Sequence, residues 1–104
     1  MKHQYHYDTI IIGAGLAGLA TAIRLRKRGE SVLVIEKNKA VGGKLDAFNW
    51  NGFRFDKGPS LFTQPELIDE LFALCGKNPK DYFTYERVDE SCRYFFNDER
   101  IDLY

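Results

Sequence analysis

The sequence predicts an α/β fold: one βαβ unit of a parallel sheet, followed by a β-hairpin, a helix and the first strands of an α+β region. Three observations predict it. Residues 7–12 and 31–36 are short, continuous apolar runs with β-branched residues, the pattern of strands enclosed on both faces of a sheet. Between them, Leu16, Leu19, Ala20 and Ile23 recur at helical spacing. Farther on, Asn51-Gly52 separates "LDAFNW" from "FRF", and this dipeptide suits a type I′ turn because both central residues need positive φ.

Each element has a local cause. The first helix runs out in Arg24, Arg26, Lys27 and Arg28, whose charge complements the C-terminal end of the helix dipole, and Gly29 can take the left-handed cap. "SVLVIE" is the second strand, joined to the first by a right-handed crossover in a unit of about 30 residues. After the hairpin, Thr63, Pro65 and Glu66 predict a capping box with proline in the first turn of a second helix. Its apolar face is Leu67, Ile68, Leu71, Phe72 and Leu74, and Gly76 ends it. Residues 82–104 read as short strands, with Asn97-Asp98 as the turn between "CRYFF" and "RIDLY".

Composition narrows the classes of partner. The 104 residues are 44% hydrophobic and 29% charged, which are globular values. With 15 basic and 15 acidic side chains, the formal net charge is zero, so there is no basic footprint for nucleic acid and a small molecule is the expected partner. No apolar run approaches the ~20 residues of a spanning helix, and "MKHQYHYD" is too polar for a signal peptide. A cytoplasmic location is the default expectation. Cys75 and Cys92 lie 17 positions apart without a CxxC pair and read as two reduced core thiols with no chemical role.

The chemistry begins in "IIIGAGLAGLATAIRLRKRGESVLVIE". Gly13 permits a tight exit from the strand, Gly15 lets the backbone approach a pyrophosphate, and Gly18 lets the helix pack closely on the sheet, so that free N–H groups at the helix start face an anion. Glu36 follows 23 positions after Gly13 at the end of the second strand, where a carboxylate accepts from ribose hydroxyls. Strand, glycine turn, helix, second strand and terminal acid together predict a dinucleotide site of the Rossmann type. The fingerprint alone leaves NAD and FAD open. Gly42-Gly43 bears on the choice: directly after the ribose acid, two residues without side chains can bring backbone N–H groups to the same pyrophosphate, with Lys44 as a nearby cation. NAD-type domains typically continue into another helix here, so the pair favours FAD.

These residues carry a resemblance. "IIIGAGLAGLATAIRLRKRGESVLVIEKNKAVGGK" resembles the N-terminus of flavoprotein oxidoreductases of the amine oxidase and phytoene desaturase superfamily. "GGKLDAFNWNGFRFDKGPSLFTQPELIDELFALCGKNPKDYF" is similar more specifically to the bacterial carotenoid desaturases related to phytoene desaturase. "FDKGPSLFTQPELIDELF" is the discriminating segment. The resemblance covers essentially all of the chain, while typical members are several times longer. It implies a glutathione reductase-type FAD-binding unit over residues 1–75 and the beginning of a substrate-binding domain over 76–104, as an N-terminal portion of such an enzyme. Gly13, Ala14, Gly15, Leu16, Ala17 and Gly18 would hold the FAD pyrophosphate, Glu36 and Lys37 the adenosine ribose region, and Gly42, Gly43 and Lys44 the phosphates and flavin side. Asp56, Gly58, Pro59 and Ser60 match a loop that runs close to the flavin ring. Relatives commonly carry arginine at the position of Lys44; lysine keeps the charge and loses the bidentate fork.

The implied activity is flavin-dependent desaturation of phytoene or of a later carotene intermediate, hydroxylated ones included, by hydride transfer to flavin. No side chain here is assigned a catalytic or metal-ligating role, because hydride acceptance belongs to the cofactor. The implied partner is a lipophilic polyene, with peripheral membrane contact expected from so oily a substrate. His3, Tyr5 and His6 precede the first strand and read as surface residues. Asp69, Glu70, Asp81, Glu86, Asp89 and Glu90 read as solvated positions. Tyr82, Phe83, Tyr85, Tyr94, Phe95 and Phe96 would suit a polyene-binding wall or an ordinary strand core. Two other readings share the fold. One is a different flavoenzyme, an amine oxidase or polyene saturase, and the other is a flavin-free binding protein like the Rab GDP-dissociation inhibitors.

Overall fold

The computed structural model describes residues 5–103. Strand β1 (Thr9–Ile12), helix α1 (Leu16–Lys27) and strand β2 (Val32–Ile35) form the expected βαβ unit. The hairpin β3 (Ala47–Trp50) and β4 (Phe53–Asp56) follows, then α2 (Pro65–Leu74), a 3-10 turn at Pro79–Asp81, and a second hairpin, β5 (Cys92–Phe96) and β6 (Glu99–Leu103). β1 and β2 pair in parallel, from Thr9 opposite Val32 to Ile12 opposite Ile35. Both hairpins are antiparallel two-stranded sheets. Residues 82–91 contain no strand, so the strand content expected from residue 82 onward is confined to the second hairpin.

Turn and cap chemistry explains the boundaries. Gly29 takes φ 95°, its N–H bonds Arg26 O at 3.1 Å, and Glu30 N–H reaches Leu25 O at 3.2 Å. This is a Schellman cap. Gly76 repeats it with φ 67°, bonding Ala73 O at 2.9 Å while Lys77 N–H bonds Phe72 O at 2.9 Å. Asn51 and Gly52 sit at φ 47° and 83°, as a type I′ turn requires, and Asn97 at φ 50° turns the second hairpin. The capping box does not form. Gln64 is the N-cap of α2, no side chain bonds the first turn, and Thr63 lies one position too early. Pro65 at the first helical position drives the residue before it away from helical ψ, and Gln64 sits at φ −136°, ψ 65°.

Helix α1 covers one face of the β1–β2 sheet. An added Cβ on Gly18 would lie 3.5 Å from Ile11 Cγ2, and Val32 and Val34 share a cavity with Ala22 and Ile23 of the helix. The other face is open: Ile10, Ile12 and Ile35 are 57%, 88% and 49% exposed. Enclosure on both faces, expected from the apolar runs, is therefore met on one side, because a single crossover helix can cover only one. The radius of gyration is 18.9 Å, against about 13 Å for a compact domain of about 100 residues. Among the described residues only Ala14 and Leu71 are buried apolar positions.

Both cysteines are free, as expected, but exposed, contrary to their assignment to the core. Cys75 caps the end of α2 and Cys92 opens a hairpin whose residues pack mainly on each other. Tyr5 and His6 are exposed, and His3 lies outside the described residues. Among the described residues no helix is long and apolar enough to cross a membrane.

Candidate functional site

The turn after β1 is built to expose backbone donors. Gly13 leaves the strand at φ 100° with its N–H on Ile35 O at 2.7 Å, which ties the turn to the end of β2. Gly15 is the N-cap of α1 in an extended conformation, no side chain caps the helix, and its first turn carries no acidic residue. The N–H groups of that turn, at the positive end of the helix dipole, therefore have no side-chain acceptor. A Cβ on Gly18 would lie 2.1 Å from Gly13 O, so only glycine permits this closeness of helix and turn.

The pair Gly42-Gly43 joins the same construction from a distance in sequence. Gly42 forms a parallel bridge with Gly15, and its N–H donates to Ala14 O at 2.8 Å. Gly43, at φ 64°, would place a Cβ 3.0 Å from Gly15 Cα. The pair was expected to turn both N–H groups to a pyrophosphate. Gly42 spends its own on Ala14, because bridging the glycine turn uses that donor. Among the described residues the Gly43 N–H has no protein acceptor. Gly58 closes in behind: a Cβ there would stand 1.8 Å from Lys44 O, so the "DKGPS" segment meets the glycine pair backbone to backbone.

Glu36 latches the turn. Its Oε2 accepts from Ala14 N–H at 2.7 Å and its Oε1 from Asn38 N–H at 2.8 Å. The Ala14 bond first, then the Asn38 bond, holds this carboxyl below the usual glutamate range. Each oxygen keeps a further lone pair able to accept another hydrogen bond. A carboxylate whose pKa is depressed on folding contributes in full above its unfolded value, about 4.3, and loses that contribution as pH falls through its lower folded value. Amide NMR of Ala14 and Asn38 should accordingly show both bonds lost together in acid, at a pH below the ordinary glutamate range. Glu36→Gln, which keeps one acceptor oxygen, should leave a single bond and erase that titration; an unchanged titration in the variant would place its origin elsewhere.

The expected residues gather unevenly. Gly13, Gly15, Leu16, Ala17, Gly18, Gly42, Gly43, Lys44 and Pro59 line one groove of about 920 Å³. Ala14 lies beneath it, 1% exposed. Gly58 and Pro59 share a smaller adjoining cavity with Lys44. Lys37 and Ser60 are exposed and line neither. The groove also has an apolar side, Leu61, Phe62, Leu67, Ile68 and Phe83, of which the sequence reading singled out Phe83 for a polyene wall, gave Leu67 and Ile68 to the helix face, and missed Leu61 and Phe62. The one available signal was the apolar Leu61-Phe62 directly after "GPS". Of the six acidic positions read as solvated, two depart: Asp69 accepts the Tyr85 hydroxyl at 2.6 Å and its Oδ1 is buried, and Glu90 is half-buried and paired with Arg93.

Comparison with known proteins agrees with this geometry. Residues 11–77 match the NAD(P)-binding Rossmann-like domain family. The chain is 54% identical over 89 residues to a 1-hydroxycarotenoid 3,4-desaturase of Flavobacterium sp. strain P99-3, covering 86% of this chain and 18% of that protein. It is 49% identical over 101 residues to a 4,4′-diapolycopene oxygenase of Methylomonas sp, covering 97% and 20%. A carotenoid 3,4-desaturase of Haloarcula japonica is 39% identical over 97 residues, covering 92% and 20%. The chain thus spans about a fifth of the length of these curated relatives. A dinucleotide cofactor fits the glycine turn, the free helix start and the acid at the end of β2, and the chain belongs to the NAD(P)-binding Rossmann-like domain family.

Proposed function

We propose that this chain is the dinucleotide-binding part of an FAD-dependent carotenoid desaturase. The observation that carries the choice of FAD is the placement of Gly42-Gly43 against Gly15, a second backbone arm on the pyrophosphate cradle where a further helix would follow in an NAD-type unit. The names of the Flavobacterium and Haloarcula relatives support the substrate class, a polyene, hydroxylated or not. In this reading residues 1–75 belong to the FAD-binding domain and 76–104 open the substrate domain. The enzyme is cytoplasmic and reaches its substrate by peripheral contact with the membrane.

The residues fit the group. Side chains at Gly15 and Gly43 would crowd the cradle, one at Gly18 would push the helix off the turn, and the first-turn N–H groups with Lys44 supply the positive character two phosphates need. Glu36 orients the turn through Ala14 and would accept from the ribose; Lys37, beside it, and Ser60, after Gly58-Pro59, would complete the assignment. Bound FAD supplies the hydride acceptor that removing hydrogen from an unactivated hydrocarbon requires. The protein's part is to hold, orient and exclude water.

The full-length protein should purify yellow, with flavin absorbance, and should red-shift the absorbance of phytoene or a hydroxylated intermediate as conjugation lengthens. Colourless protein that takes up no added FAD would defeat the reading, and so would bound flavin with every polyene unchanged. The Methylomonas relative's name supports a second outcome, oxygenation of a polyene end, and product mass separates loss of hydrogen from gain of oxygen.

A further inference from the structure

The groove has two chemistries. Its lining joins the glycine backbones and Lys44, the sole charged side chain that lines it among the described residues, to an apolar set of Leu61, Phe62, Leu67, Ile68 and Phe83, with Thr63 and Gln64 before α2 as polar neighbours. Leu61 and Phe62 are 51% and 47% exposed.

Phe62 is nonetheless fixed in place. Its ring meets Tyr85 edge-on, with centroids 5.3 Å apart and planes at 87°, and Phe83 at 6.2 Å and 63°. Phe83 packs in turn on Phe72 of α2 at 5.7 Å. The Tyr85 hydroxyl donates to Asp69 Oδ2 at 2.6 Å, which anchors the segment after the 3-10 turn to the same helix. An aromatic side chain that is half open to solvent, while its supporting neighbours are tied by packing and a hydrogen bond, is preorganised for contact with a ligand. The aromatic cluster seen in the sequence thus divides: Tyr82, Phe83 and Tyr85 join Phe62 and Phe72, whereas Tyr94, Phe95 and Phe96 belong to the β5–β6 hairpin.

We propose that Phe62 and Phe83 are specificity-determining residues that grip the hydrocarbon chain of a polyene beside the bound dinucleotide, and that Asp69, through Tyr85, is the positioning residue for Phe62. The proposal rests on the desaturase reading. The wall favours a hydrocarbon over a flavin ring, whose carbonyls and ring nitrogens would lose hydrogen bonds against it. It lines the same groove as the glycine turn, so the polyene would lie against the cofactor there.

The test uses the full-length protein loaded with FAD, measuring flavin content, polyene Kd and steady-state kinetics. Phe62→Ala and Phe83→Ala should each raise the polyene Kd about tenfold or more, the worth of one lost aromatic contact, with flavin content unchanged. Phe62→Leu should recover most of the loss. Tyr85→Phe and Asp69→Ala should raise KM with kcat held, while Asp69→Asn, which keeps an acceptor for the hydroxyl, should behave as the parent. Unchanged polyene binding in Phe62→Leu and both alanine variants overturns the proposal, as does flavin lost in step with polyene, which would give the wall to the cofactor. Parent protein that holds FAD but binds no polyene overturns it together with the desaturase reading. Polyene binding that depends on Phe62 in protein without flavin would leave the wall standing and sink only the flavoenzyme.

Discussion

Gly18→Ala should loosen α1 from the turn beneath it and cost both stability and dinucleotide affinity. The added methyl would stand 2.1 Å from Gly13 O and 3.2 Å from Gly13 C, both backbone atoms that no rotamer change can move aside. Either the helix rises off the sheet or the turn after β1 distorts. Overpacking of this kind costs about 1–3 kcal/mol. The same displacement moves the first-turn N–H groups relative to the turn that shares their ligand, and each 1.4 kcal/mol felt in the bound state is about tenfold in Kd. Denaturant melts and dinucleotide titration of the purified protein should both report the loss. Parent-like values in both would mean that helix and turn do not meet this closely.

Gly43→Val should separate the two effects that Gly18→Ala combines. Valine at φ 64° is a backbone outlier costing about 1–3 kcal/mol, and its Cβ would press on Gly15 Cα at 3.0 Å. The glycine pair lies on a connection and supports no strand of the βαβ unit, so the strain is relieved by moving the pair away from the cradle. Cofactor retention through gel filtration should fall by about tenfold to a hundredfold on the same 1.4 kcal/mol scale, with the fold largely kept. Gly52→Val is the matched control: it too places valine at positive φ, with nothing within 4 Å of an added Cβ, and it should leave retention intact. Equal losses in the two variants would attribute the effect to backbone strain in general and not to the contact with Gly15.

Much of the fold was legible because its causes are local. Gly29, Gly76, Asn51-Gly52 and Asn97 each mark a stop or turn that depends on a few neighbouring residues, and each stands where the sequence puts it. The acid after β2 and the three glycines after β1 also act within one short unit. What escaped is non-local or depends on a single position. The capping box failed on the offset between Thr63 and Gln64. Asp69 looked solvated because its partner, Tyr85, is 16 residues away on a segment with no regular structure. The nearness of Gly58 to Lys44 O, and the use of the Gly42 N–H on Ala14, depend on how connections cross in space, which no periodicity records. The aromatic wall was half visible for the same reason: Phe83 stood in a listable cluster, but Phe62 joined it only through the fold.

The open face of the β1–β2 sheet has a practical consequence. Ile10, Ile12 and Ile35 make a branched, greasy ridge on the side that α1 does not cover. Together with Trp50, Phe53 and Phe95, it makes the isolated 104-residue chain adhesive towards other copies of itself, however sound its glycine caps and turns.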